Sequence, residues 1–243
     1  MDFEQSAALA AALPDDLGPL VADIDGTLTD DNRAVDPRVF PVLRAWPAPV
    51  VIATGKAMPY PVALTEFLGL EPVVIAENGG VVLVERSGTL RYEGDREAAQ
   101  AVVEEFEAQG YDLGWGPADL VNRWRETEIA IGREGPLEPL REIAEDHGLL
   151  VVDTGYAYHV KTREQNKGKG VEVVAETLGR APEEFLAVGD SVNDAPAFEV
   201  VGSSVAVANA DDTAKDAAEH IVSESYGDGF LAAVEWFAER ATG

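Results

Sequence analysis

A chain of 243 residues, 46% of them hydrophobic, is long enough for one large domain or for a domain carrying a smaller inserted one. It has no cysteine, which excludes disulfides, thiolate catalysis and Cys-based zinc sites. Three scattered histidines argue against a His-built metal centre or a Ser-His-Asp site, so any metal should be a hard, oxygen-liganded cation. A formal net charge of −27 repels nucleic acid, and no apolar run reaches the ~18 to 20 residues of a membrane helix.

The first segment, MDFEQSAALAAALPDD, carries Asp2 and Glu4 where a secretory leader would be basic, so a surface arm or short helix of a cytoplasmic protein is expected. PLVADIDGTL reads as a strand running into a turn, with Asp23 and Asp25 flanking Ile24 at its end. DPRVFPVLRAW offers Asp36 as N-cap and Pro37 at the first helical position. APVVIATG is a second strand stopped by Gly55, PYPVALTEFLG a helix closed by Gly69, and EPVVIAENGG a third strand. Short β-rich runs separated by helices are the pattern of a parallel sheet covered on both faces.

The pattern changes after Gly80. VVLVERSGTLRYEG reads as a hairpin turning at Ser87-Gly88. DREAAQAVVEEFEAQG is a helix with Ala99, Val102, Val103 and Phe106 on one face. DLVNRWRETEIAIG reads as a strand, PLEPLREIAEDHG as a helix closed by Gly148, and LLVVDTGYAYHVKT as one or two strands. Residues 83–158 are therefore expected to form an inserted α+β cap. The core would be assembled from residues 1–82 and 159–243. From NKGKGVEVVAETLG onward helices and strands alternate again, through EEFLAVGD, NDAPAFEVVG, SSVAVANA, DDTAKDAAEH and EHIVS to a last helix, GDGFLAAVEWFAERA.

In an open α/β sheet, ligands bind beyond the carboxyl ends of the strands, where strand order reverses. Asp23 and Asp25 end the first strand, Thr54, Gly55 and Lys56 follow the second, and Asp190 and Asp194 follow a later one. If these strands are parallel neighbours, four carboxylates gather at one edge. Their mutual repulsion is what a divalent cation neutralises.

DIDGTL, IATGK, Lys167 placed 23 positions before Asp190, and GDSVND occur in that order. Together they resemble the haloacid dehalogenase-like superfamily, in its C2-capped, Cof-type phosphatase branch. VNRWRETE and TGYAYHV are similar to segments of the archaeal phosphoglycolate phosphatases. The resemblance implies a Rossmann-like α/β core and hydrolysis of a small phosphorylated metabolite, 2-phosphoglycolate. It implies Mg²⁺ held by Asp23, the Asp25 backbone carbonyl and Asp190, with Asp194 binding a metal-bound water or orienting Lys167. Asp23 would be the nucleophile, forming an aspartyl-phosphate, and Asp25 the general acid and base. Thr54, Gly55 and Lys167 would meet the phosphate. Lys56 departs from the pattern, since many relatives have Arg there. A related sugar-phosphate phosphatase or phosphomutase, and a non-catalytic binder on the same fold, are the alternatives. Membrane partners are not expected, and the protein should be a monomer or homodimer.

Within the cap, Arg123 and Arg125 should share one face of a strand, with Trp124 on the other. That would suit a carboxylate met by an arginine fork. Plainer roles compete at several positions. Asp194 could be the N-cap of APAFEV, Lys169 rivals Lys167, Glu77-Asn78-Gly79-Gly80 reads as a turn, and His147 caps a helix end. Tyr158 and His159 read as packing or hinge residues, with hinges at Gly79-Gly80 and Lys161-Thr162.

The 45 acidic residues face 18 basic ones, of which only five (Lys56, Lys161, Lys167, Lys169 and Lys215) are lysine. This composition resembles that of proteins from salt-adapted archaea. Such a charge destabilises the compact state by self-repulsion, which salt screens. The melting temperature should therefore climb steadily as KCl is raised from millimolar to molar. Equal stability without salt would refute the salt-adapted reading.

Overall fold

The computed structural model describes residues 1–242. A capped helix, α1 (Phe3–Ala11), precedes the sheet, with Asp2 and Gln5 forming a reciprocal capping box. β1 (Leu20–Asp23), β2 (Val50–Ala53) and β3 (Val73–Ala76) are buried along their whole length. Strands covered on both faces have no solvent side, so they read as continuous apolar runs. α2 (Val39–Ala45) and α3 (Pro59–Leu68) connect them. β4 (Val81–Val84) then adds antiparallel to β3, and β5 (Thr89–Tyr92) antiparallel to β4.

The chain next builds a smaller unit from α4 (Arg96–Ala108), β6 (Ile129–Gly132), α5 (Leu137–Asp146), β7 (Leu150–Asp153) and β8 (Ala157–Lys161). It returns through α6 (Lys167–Leu178), β9 (Leu186–Gly189), α7 (Ala195–Phe198), β10 (Ser203–Ala206), α8 (Asp212–Ala217), β11 (His220–Ile221) and α9 (Tyr226–Thr242).

The large sheet has the order β11-β10-β9-β1-β2-β3-β4-β5, parallel from β11 to β3. The chain leaves β1 toward β2 and comes back to its other side at β9, so strand order reverses at β1. Leu20 is in register with Val50 and with Leu186, and Asp23 lies opposite Ala53. The carboxyl ends of β1, β2 and β9 therefore form one edge.

The small sheet, β6-β8-β7, is antiparallel. Side chains alternate across a strand, so Tyr158 and Val160 of β8 pack with Ile129, Ile131, Phe106, Leu140 and Ile143 under the two helices. His159 and Lys161 point from the opposite face, and both are buried. That face is turned toward the core.

Three sequence expectations need revision. The hairpin at 81–92 extends the large sheet, because Val81, Val82 and Val84 find buried places beside β3. The expected boundaries at 82/83 and 158/159 consequently fall inside β4 and β8. The segment DLVNRWRETEIAIG is a strand only from Ile129; residues before it form turns. The cause is local: the Asn122 side chain donates to Ala130 O and accepts from Ala130 N, both at 2.8 Å, and so occupies the place of a neighbouring strand.

Candidate active site

β1 ends at Asp23, and the chain leaves it in a wide turn through Ile24–Leu28. Gly26 adopts φ +84° there, and a Cβ on it would lie 2.0 Å from Asp190 Oδ2. Glycine is thus required both by the turn and by the approach of the Asp190 carboxylate. Asp190 follows β9, and Asp194 lies one turn further on. Asp23, Asp190 and Asp194 present oxygens that all lie within 4.8 Å of one another.

Lys167, the first residue of α6, reaches the same point. Asn166 caps that helix by accepting from Lys169 N at 2.8 Å. The fully buried Lys167 Nζ donates to Asp23 Oδ1 and to Asp194 Oδ1, each at 2.6 Å. Asp194 Oδ2 accepts from the Asp190 and Ser191 backbone N–H groups, both at 3.0 Å. Asp194 stands at the N-cap position of α7, but its side chain makes no capping hydrogen bond: its oxygens hold Lys167 and the loop that carries Asp190. Lys169, the rival of Lys167, lies on the surface beside Glu172 at 2.9 Å.

Burial pushes the Asp23 carboxyl up to about 7; Lys167 pulls against this, and Asp194 and Asp25 reinforce it. Burial also raises Asp190, to about 9, with the Asp23 and Asp194 charges adding to the effect. For Lys167 burial favours the neutral amine, but the Asp194 and Asp23 carboxylates outweigh it and hold the ammonium charged. One buried cation thus compensates only part of three converging acids. The donor set is carboxylate oxygen throughout, which fits a hard divalent cation such as Mg²⁺.

The remaining expected residues are partly gathered here. Asp25 turns to Lys56, whose Nζ lies 2.7 Å from its carboxylate, so the lysine at this departure from the family pattern has a defined partner. Thr54 is buried, and its Oγ1 accepts from Lys56 N at 3.1 Å. Gly55 lines a cleft of about 270 Å³ together with Asp23, Asp25, Lys56 and Asp190. Arg125 lines the same cleft, from the cap side. Arg123 does not; it is exposed, and the shared strand face expected for the pair does not exist. Trp124 packs edge-on against Tyr60, with ring centroids 6.3 Å apart.

Several residues at the site had no sequence signal, or one that read as packing. Tyr156 stacks on Trp115 at 5.9 Å, and the Arg33 guanidinium sits 5.2 Å from its ring. Glu128 is wholly buried and ties together His159 Nδ1 at 2.7 Å and the Arg125 guanidinium. Burial works against the charged form of Glu128, yet His159 and Arg125 overcome it and hold the carboxyl down to about 2. Asn209 donates to Gly26 O at 2.9 Å and accepts from Tyr226 N at 2.8 Å, so the turn after β1 is pinned to the start of α9. His147 is the C-cap of α5, as expected, and its ring also pairs with Glu105 of α4 at 3.0 Å.

Residues 20–117 and 140–234 match the haloacid dehalogenase-like hydrolase family. The chain is 61% identical over 219 residues to the phosphoglycolate phosphatase of Haloarcula marismortui, covering 90% of this chain and 96% of that one. It is 58% identical to the phosphoglycolate phosphatase of Natronomonas pharaonis, covering 90% and 97%. A crystal structure of a Thermoplasma acidophilum protein, 0175, superposes with a TM-score of 0.80 at 27% identity, over 91% of this chain and 98% of that one. A haloacid dehalogenase-like hydrolase of Bacteroides thetaiotaomicron shares the fold at a TM-score of 0.73 and 21% identity, over 90% and 99%.

The acid cluster has a signature in metal-free protein. Asp23 and Asp190 ionise near 4 in an unfolded chain but near 7 and 9 when folded. Between those values the folded state holds the more protons, so its stability falls as pH rises. In chelator, melting temperature should drop between about pH 5 and about pH 9 more steeply than in Asp190→Asn, and a divalent cation should remove the difference. Parallel profiles for the two proteins would contradict the assigned cluster.

Proposed function

The chain belongs to the haloacid dehalogenase-like hydrolases, and we propose that it is a Mg²⁺-dependent phosphatase that converts 2-phosphoglycolate to glycolate and phosphate. The observation that carries the chemistry is Lys167 Nζ bridging Asp23 and Asp194 at the edge where β1 and β9 meet. The substrate follows from the name borne by relatives sharing more than half of their residues with this chain.

Uncatalysed phosphate monoester hydrolysis is so slow that ~20 kcal/mol or more of barrier lowering is needed. Positioning and charge compensation supply most of it. Asp23 attacks phosphorus in line, forming an aspartyl-phosphate and expelling the glycolate oxygen. Asp25, at the cleft and held by Lys56, gives a proton to that leaving oxygen and then takes one from the water that cleaves the intermediate. Lys167 offsets charge on the transferring group, and Asp194 keeps Lys167 in place. The Thr54 hydroxyl donates to a phosphoryl oxygen. Mg²⁺, held by Asp23, Asp190 and the Asp25 carbonyl, would lower the repulsion between a carboxylate nucleophile and an anionic substrate.

Of the two cap arginines, Arg125 is the one that suits the substrate carboxylate. Its Nε donates to Val121 O at 3.1 Å and its Nη1 to Glu128, which leaves Nη2 for a ligand in the cleft.

Phosphate release should be measured over a panel of esters in Mg²⁺ and high salt. We expect 2-phosphoglycolate to be preferred, chelation to abolish release, and Asp23→Asn to lower it by about a thousandfold or more. Arg125→Lys, which keeps the charge but has one nitrogen where Arg125 uses three, should lower kcat/KM for 2-phosphoglycolate by about tenfold while Arg123→Ala leaves it unchanged. No release from any ester, or an Asp23→Asn protein as active as its parent, would reject the proposal.

A further inference from the structure

Three parts of the fold meet at one side chain, Asn78. β3 ends at Ala76, and the chain turns through Glu77 and Asn78 at φ of 50° and 54°. That left-handed conformation is uncommon outside glycine, and asparagine tolerates it better than most. Asn78 N donates to Thr54 O at 3.1 Å, and a Cβ on Gly55 would lie 2.9 Å from Asn78 Oδ1. The turn is therefore pressed against the loop after β2. Asn78 Oδ1 accepts from Asn193 Nδ2 at 2.9 Å, and Asn193 Oδ1 accepts from the Ser191 hydroxyl at 2.6 Å. These two residues belong to the loop between Asp190 and Asp194. On its other side, Asn78 Nδ2 donates to both oxygens of Glu128, at 3.2 and 3.0 Å, and Glu128 belongs to the cap.

The same turn holds the cap by a second grip. The Glu77 carboxylate accepts from Glu126 N at 2.9 Å, and from Thr127 N and Thr127 Oγ1 at 2.8 Å each. Gln165 Nε2 closes the arrangement by donating to Glu77 O at 2.6 Å and to Glu128 Oε2 at 3.3 Å. Glu77, Asn78, Thr127, Glu128 and Gln165 are buried, so water does not replace a bond lost among them.

We infer that Asn78 is a positioning residue whose amide fixes the Ser191–Asn193 loop, and with it Asp190 and Asp194, when Glu128 is seated beneath the cap. An amide is the group that performs both tasks, with an acceptor toward Asn193 and a donor toward a carboxylate. The inference rests on the phosphatase reading for its kinetic half alone.

The two arms can be cut separately. Asn78→Asp keeps an oxygen for Asn193 and sets a carboxylate against Glu128. Asn193→Ala removes the loop arm and leaves the cap contact whole. Amide hydrogen exchange should be followed at residues 126–128, with kcat and KM for 2-phosphoglycolate. Asn78→Asp should speed exchange there by about tenfold or more and lower kcat by about 10- to 100-fold. Asn193→Ala should lower kcat similarly without changing that exchange, KM moving little in either. The double variant should be no slower than Asn78→Asp, since both cut one chain of contacts. If Asn78→Asp does not fold, Asn78→Gly suits the left-handed backbone, lacks both arms and should match the double variant. Multiplicative losses in the double variant, unchanged exchange in Asn78→Asp, or looser exchange with normal kcat would each overturn the inference. Should the parent protein release no phosphate at all, the phosphatase reading fails, and the contrast in exchange between Asn78→Asp and Asn193→Ala still decides the contact with the cap.

Discussion

The buried ammonium of Lys167 between Asp23 and Asp194 is the interaction on which the rest of the molecule depends. Lys167 and Asp23 lie 144 positions apart in the chain, and they touch because α6 and β1 converge on one sheet edge. Burying a lysine with carboxylates brings little net stability, because desolvation consumes most of the Coulombic gain. The arrangement makes sense as preorganised charge: the carboxylates are held where repulsion would separate them, and a bound cation would relieve that tension. The Gly26 turn, the Asp190 and Ser191 N–H groups facing Asp194, and the Asn209 bridge to α9 all keep this geometry rigid.

The main apolar core of the large sheet and its helices is separate from that under the small sheet, and a third small cluster lies on β3 and β4. What joins them at the cleft is polar, a seam of Glu77, Asn78, Thr127, Glu128, His159 and Gln165. A polar seam behaves differently from an apolar one. Its groups can be rehydrated when it opens, yet each bond is strong while water is excluded. The cleft therefore draws its walls from both units, which are tied there by buried hydrogen bonds.

The composition imposes its own constraint. An excess of acidic over basic residues as large as this leaves few cations to spend, and three of the five lysines, Lys56, Lys161 and Lys167, sit at or beside the cleft. Most of the lysines thus gather near the cleft, while most of the arginines lie exposed among the surface acids. This agrees with relatives drawn from Haloarcula, Natronomonas and Halobacterium.

By itself the sequence determined the parallel core, an inserted smaller unit in outline, and the acids, threonine and lysine that gather at one sheet edge. The acids and the threonine were legible because each ends or closely follows a short apolar strand, so position along the chain already states position in space. Tertiary structure alone decided the cap side of the site. Whether the hairpin at 81–92 joined the large sheet depended on which edge offered buried places for its valines. Whether Arg123 or Arg125 faced the cleft depended on Asn122 imitating a strand with its side chain, which periodicity does not reveal. Glu77 and Asn78 read as turn residues, and Glu128 drew no reading of its own, because their partners across the seam lie 50 positions away. Local pattern encodes the backbone's own bonding, whereas a buried polar seam exists only once two separately folded surfaces come together.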